Sequence, residues 1–141
     1  MNYLIGSDHG GYKLKEAIKQ HFKKNNLKLV DVGPKNYDPE DDFNDYAKKL
    51  VKNLKKDKGI LICGTGQGMT IQANRYKGVI CSLSWNVNSA KHSKEHLNAN
   101  VIALPSTLSK KKAIEIINTW KNSKFIQKQK YKRRLEKLDE K

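Results

Sequence analysis

Cysteine is scarce in this chain, with Cys63 and Cys81 the only two among 141 residues. Their spacing matches neither a disulfide framework nor a zinc ribbon, which excludes a stapled secreted scaffold and fits a reducing cytoplasm. Long apolar runs are missing too. No stretch approaches the roughly 18 consecutive apolar residues that a membrane span needs. The opening segment MNYLIGSDHGG lacks a basic stretch followed by an apolar core and a small-residue cleavage site, so an unexported cytoplasmic protein is expected. No internal repeat, low-complexity linker or domain boundary interrupts the sequence, and its length suits one domain over 1–141 built on one core.

Acidic residues are also few, 14 against 29 Lys and Arg, giving a formal charge of +15. Clustered basic residues release counterions from nucleic-acid backbones, but these lysines are spread along the whole chain, many beside asparagine, and no DNA- or RNA-binding motif accompanies them. A field of this sign also draws in small phosphorylated metabolites. General solvated surface ranks first among these readings, an anionic metabolite second and a nucleic acid third.

Short runs rich in Val and Ile occur at Tyr3–Ile5, Leu27–Val32, Ile60–Cys63, Val79–Leu83 and Val101–Leu104. Segments of helical periodicity separate them. Leu14, Ala17, Ile18 and Phe22 mark one apolar helix face, Phe43, Tyr46, Ala47, Leu50, Val51 and Leu54 a second, and Ala113, Ile114, Ile117 and Trp120 a third. A basic helix is expected over about 125–138. Strands alternating with helices predict an α/β fold with a five-stranded parallel sheet covered on both faces. Asp38-Pro-Glu-Asp-Asp reads as a loop into the second helix.

Ligands of open α/β sheets bind at the carboxyl ends of the strands. There the first run leads into Ser7-Asp8-His9-Gly10-Gly11 and the third ends in Cys63-Gly64-Thr65-Gly66-Gln67-Gly68, ahead of a helix-compatible stretch, Met69–Tyr76. Backbone N–H groups of such a glycine run, with a helix N-terminus behind it, suit an anion; each glycine singly also suits a tight turn. The run is no nucleotide motif, since it lacks the Lys-Ser/Thr of a P-loop and the first-strand placement of a dinucleotide fingerprint. Cys81, within a strand, reads as a small hydrophobe. Cys63 stands at a strand's end before a helix N-terminus, where the dipole favours a thiolate that serves as base or nucleophile. His92-Ser-Lys-Glu95-His96 matches an H-x-x-E-H zinc pattern with both histidines on one helix face. The short match arises easily by chance and no third ligand is evident, so no metal is expected.

Three segments in order, Gly6-Ser-Asp8-His9-Gly-Gly-Tyr12-Lys-Leu-Lys15, Gly59-Ile-Leu-Ile-Cys63-Gly-Thr-Gly-Gln-Gly68-Met and Ser93-Lys-Glu-His96-Leu-Asn-Ala-Asn100-Val, resemble the type B ribose-5-phosphate isomerase and galactose-6-phosphate isomerase superfamily. The resemblance runs on through Trp120, Phe125 and Arg133-Arg134-Leu-Glu-Lys. It implies a Rossmann-like three-layer α/β/α sandwich and a homodimer with active sites at the subunit interface. It also implies an aldose–ketose isomerase that uses no metal or nucleotide cofactor and interconverts ribose 5-phosphate and ribulose 5-phosphate through an enediol.

By position, the resemblance gives Cys63 the part of catalytic base and His96 that of sugar-ring opening. Asp8 and His9 match the substrate-binding pair, and Gly64, Gly66, Gln67 and Gly68 the loop at the reacting end, where Thr65 adds a hydroxyl. Lys130 and Arg134 fall where arginines hold the phosphate, and four-residue spacing puts them on one helix face beside His9's share of that grip. Three positions depart from the family. Leu97 replaces a substrate-binding Asn, Thr107 an Arg, and Lys130 another Arg. The departures leave other aldose phosphates, such as galactose 6-phosphate or allose 6-phosphate, as alternative substrates, and a sugar-phosphate sensor or an RNA-binding protein as non-catalytic alternatives.

Overall fold

A computed structural model describes residues 2–140. The strands are β1 (Tyr3–Ser7), β2 (Leu29–Gly33), β3 (Lys58–Cys63), β4 (Cys81–Leu83) and β5 (Val101–Pro105). The helices are α1 (Tyr12–Lys24), α2 (Phe43–Leu54), α3 (Gln67–Ala73), α4 (Val87–Glu95), α5 (Lys110–Asn122) and α6 (Gln129–Glu136). The five strands form one parallel sheet in the order β2-β1-β3-β5-β4.

Because successive side chains of a strand point to opposite faces, β3 feeds two cores. Ile60 and Ile62 pack with Leu14, Ile18 and Phe22 of α1 and Ile116, Ile117 and Trp120 of α5. Leu61 and Cys63 pack with Ala47, Leu50 and Leu54 of α2 and Met69 and Ala73 of α3. The expected three layers are present. Trp120 is wholly buried, and its indole N–H donates to the Ala99 carbonyl at 3.0 Å, so its one polar atom is satisfied.

β1, β3 and β5 extend one or two residues beyond the expected runs, and four further elements differ for a local reason. β2 starts at Leu29 because Asn26 takes a left-handed conformation (φ 56°) and the Leu27 N–H bonds back to the Phe22 carbonyl at 2.8 Å, so Leu27 is tied to the last turn of α1. β4 starts at Cys81 because the Ile80 N–H is taken by the Asn100 side chain. α3 starts earlier and ends at Ala73, where the Asn74 side chain turns to bond both backbone groups of Cys81. The last helix is confined to Gln129–Glu136, and the extended segment before it runs against α4 through a 2.9 Å bond from the Ile126 N–H to the Glu95 carbonyl.

Candidate active site

The carboxyl ends of β1 and β3 meet closely. The Asp8 N–H donates to the Ile62 carbonyl at 3.2 Å, and a 3₁₀ turn, His9–Gly11, follows. Asp8 Oδ1 caps that turn by accepting from the Gly11 N–H at 3.1 Å. Burial raises the Asp8 carboxyl's pKa, and the Gly11 amide pulls back against it. The turn lies so tightly on β3 that a Cβ at Gly11 would fall 2.6 Å from the Ile62 carbonyl oxygen, and one at Gly10 3.4 Å from the Gly64 nitrogen.

Cys63 is the last residue of β3 and is buried. Its carbonyl and that of Gly64 both accept from the Ser106 N–H, at 2.9 and 3.2 Å, which ties the glycine loop to the end of β5. Among the described residues the N–H groups of Gly64, Thr65 and Gly66 have no protein acceptor, so the loop presents donors beside the thiol. Gly66 is left-handed (φ 78°), and a Cβ there would fall 2.5 Å from the Leu83 side chain; glycine is required. Thr65 and Gln67 are exposed, and the Thr65 hydroxyl oxygen accepts from the Gln67 N–H at 3.3 Å. Gly68 lies under the Phe43 ring, where a Cβ would come within 2.9 Å. Cys81 sits in the same core, its thiol pKa pushed up to about 12 by burial.

His9 brings in a residue that the sequence reading left inside a loop. Its backbone N–H and its ring Nδ1 both bond to Asp41 Oδ1, at 3.2 and 2.7 Å, from the segment just before α2. The bond to Asp41 raises the His9 pKa, helped by the charges of Asp8 and Asp38. The acidic composition of 38–42 was the visible signal, but nothing in the sequence says which carboxylate reaches across. Ligand atoms of Asp8, His9 and Asp41 lie within 4.8 Å of one another, the one such group among the described residues. Within that group His9 Nδ1 and Asp41 Oδ1 bond to each other, a histidine–carboxylate pair.

The other expected residues lie elsewhere. α4 runs from the carboxyl end of β4 back toward the amino end of β5, and His96 caps its C-terminus. The register pairs Val101 with Gly59 and Pro105 with Cys63, so the length of β5, about 13 Å, separates the two ends. The His96 ring stacks on His92 at 4.9 Å and approaches Tyr131 of α6 at 5.1 Å. Lys130 and Arg134 of α6 are exposed, with no acidic partner among the described residues. Asp139 holds the end of the chain to the Gly78 N–H, before β4. One chain therefore brings Asp8, His9 and Gly64–Gly68 to Cys63, and does not bring His96, Lys130 or Arg134 there. Leu97, 43% exposed, goes with His96, and Thr107 with the carboxyl end of β5.

A hollow of about 260 Å³ lined by Leu83, Trp85, Asn86, His92 and Leu97 runs along the edge made by β4 and α4. A larger one, about 460 Å³, opens between α1 and β2 beside Lys19, Phe22 and Leu29; no expected site residue lines it.

The model of the Ribose/Galactose Isomerase family matches residues 3–138. A probable ribose-5-phosphate isomerase B of Mycoplasma genitalium is 38% identical, over 97% of this chain and 93% of that protein. A ribose 5-phosphate isomerase crystal structure from Thermotoga maritima superposes with a TM-score of 0.94 at 35% identity, covering 99% of this chain and 98% of that one. The Mycoplasma genitalium isomerase B crystal structure with bound ribulose-5-phosphate gives 0.87 at 38% identity, over 97% and 93% of the two chains.

Proposed function

The chain belongs to the ribose/galactose isomerase family, and on that premise we propose that it interconverts ribose 5-phosphate and ribulose 5-phosphate. The observation that carries the reaction is the buried Cys63 thiol at the end of β3 beside the unsatisfied N–H groups of Gly64, Thr65 and Gly66. As thiolate, Cys63 removes the proton from C2 of the open-chain aldose. The C–H electron pair becomes the C1–C2 double bond, and the C1 carbonyl oxygen takes the negative charge. The loop donors stabilise that enediolate, at about 3–4 kcal/mol per well-aimed donor. Return of the proton to C1, and transfer of the C2 hydroxyl proton to O1, completes the ketose; one base serves both carbons. Asp8 binds sugar hydroxyls, and His9 binds the phosphate.

Ring opening and the remaining phosphate contacts need a second copy. We assign them to the partner subunit's His96, Lys130 and Arg134 in a homodimer with two shared sites, because one chain keeps these groups a strand length from Cys63. Ile71, Trp85, Val87 and Leu97, the exposed apolar residues of elements flanking edge strand β4, supply a surface for such a pairing. No described helix is long and apolar enough to cross a membrane, and the two free, buried cysteines suit the cytoplasm we assign to the protein.

The test is turnover of ribose 5-phosphate by the purified protein, with and without EDTA. Isomerisation that survives chelation is expected. Loss in EDTA with recovery in zinc would overturn the metal-free chemistry, and tight salt-sensitive RNA retention without turnover would overturn the enzyme.

A further inference from the structure

We propose that Asp41 is a positioning residue that holds His9 as a fixed imidazolium, with Nε2 presented to the phosphate of the substrate. The assignment rests on the proposed isomerase reading for the identity of the anion, and on geometry for the rest. Two hydrogen bonds from one residue converge on a single oxygen, Asp41 Oδ1: the His9 backbone N–H at 3.2 Å and Nδ1 at 2.7 Å. The backbone bond fixes where the 3₁₀ turn begins, and the ring bond fixes the tautomer, leaving Nε2 as the free ring nitrogen. The Asp41 side chain is only 5% exposed, whereas that of His9 is 36% exposed. A carboxylate withdrawn from water needs a compensating donor. Asp41 Oδ2 is buried without a hydrogen-bond partner and lies on the side of Tyr46, so the two hydrogen bonds this carboxylate accepts both come from His9.

The charges around the ring make the proton a condition of anion binding. Asp8, Asp38 and Asp41 face the imidazole, the Tyr37 ring stands edge-on to it at 6.1 Å, and Tyr46 faces Asp41 from α2. Tyr37 is in turn packed edge-on against Tyr12 of α1, whose hydroxyl donates to the Lys35 carbonyl. A neutral His9 would show a phosphate dianion three carboxylates and no cation. A protonated His9 reverses the local sign and donates a charge-assisted bond. The same carboxylates that hold the proton on the ring thus switch from liability to support. Asp41 contributes by setting the ring's charge and direction, without touching the substrate.

The experiment follows the His9 ring by ¹⁵N NMR in the full-length protein across about pH 5 to 9, alongside KM and kcat for ribose 5-phosphate and the inhibition constant of inorganic phosphate. In the parent, Nδ1 carries the proton throughout, His9 titrates above its ordinary value, and both KM and the phosphate constant rise as pH passes upward through that titration. Asp41→Asn moves the titration and the kinetic break down together and raises KM about tenfold near neutral pH while kcat changes less than about twofold, the size expected for losing a bond to a charged group. Asp41→Glu restores part of the shift. A break that stays in place in Asp41→Asn, with thermal stability alone reduced, would overturn the proposal. If Asp41→Asn does not fold, the parent ring decides: a neutral ring that keeps its proton on Nε2 rather than Nδ1 above the titration, or titration at or below the ordinary value, refutes it. Absence of sugar-phosphate turnover would refute the isomerase reading separately, since the ring titration is read without it.

Discussion

The two cysteines show how position separates chemistry from packing at the scale of one residue. Cys63 ends β3 at the loop donors, while Cys81 is buried within a strand with its thiol pKa raised to about 12. Cys63→Ala is expected to abolish turnover and leave the circular dichroism spectrum unchanged. Cys81→Ala should keep turnover and lower the melting temperature, by about 1–2 kcal/mol of stability for the small group lost. Equal activity in the two would remove Cys63 from its role. The departures from the family bear on substrate range in the same way. Leu97 cannot hydrogen-bond a hydroxyl, and Thr107 carries no charge. A weakened grip on ribose 5-phosphate is therefore expected, with relaxed discrimination between five- and six-carbon aldose phosphates. Leu97→Asn or Thr107→Arg should improve kcat/KM for ribose 5-phosphate; no gain from either would show that the departures are compensated.

At the scale of the element, α1 and β2 are coupled electrostatically. Lys15 is wholly buried, yet its ammonium bonds to Asp31 Oδ2 of β2 at 2.8 Å and to Glu16 at 2.9 Å, and Lys19 bonds to the same Asp31 oxygen at 2.7 Å. Burial pushes the Asp31 pKa up, but the lysines outweigh it and hold the carboxyl below its ordinary range. A depressed folded pKa gives stability that is present above the unfolded value and lost as pH falls through the folded one. Urea midpoints should accordingly fall in acid, below the ordinary carboxylate range. Asp31→Asn should cost about 1.5–3 kcal/mol at neutral pH and flatten that acid limb, because it leaves buried Lys15 with Glu16 as its one carboxylate partner. This network was invisible in the sequence, where Lys15 reads as one more surface cation. What was legible at this scale was periodic: the strands and the faces of α1, α2 and α5 follow from apolar spacing, and Cys63 with its glycine loop from placement after a strand. Contacts made across the sheet, such as Asp41 reaching His9 over 32 residues, follow no period and appear only once the chain is folded.

At the scale of the whole molecule the sheet sorts the proposed catalytic groups to its two ends. Cys63→Ala and His96→Ala chains are each expected to be inactive alone. Unfolded and refolded together in equal amounts, they should regain roughly a quarter of the parent's sites, since half the dimers are mixed and each mixed dimer has one unaltered pair of halves. No recovery, in mixtures shown to contain mixed dimers, would place the whole reaction within one chain.

On the proposed pairing, the distance along β5 between His96 and Cys63 makes a second copy of the chain a co-reactant at every site. Specific activity should then depend on how much protein is in the cuvette. Diluted below the concentration at which the pair comes apart, every chain would keep its sheet, its thiol and its glycine loop, while turnover per chain falls in proportion to concentration and total turnover with its square, as for an encounter between equals. A folded, soluble and chemically unaltered sample would look inactive merely because it was too thin.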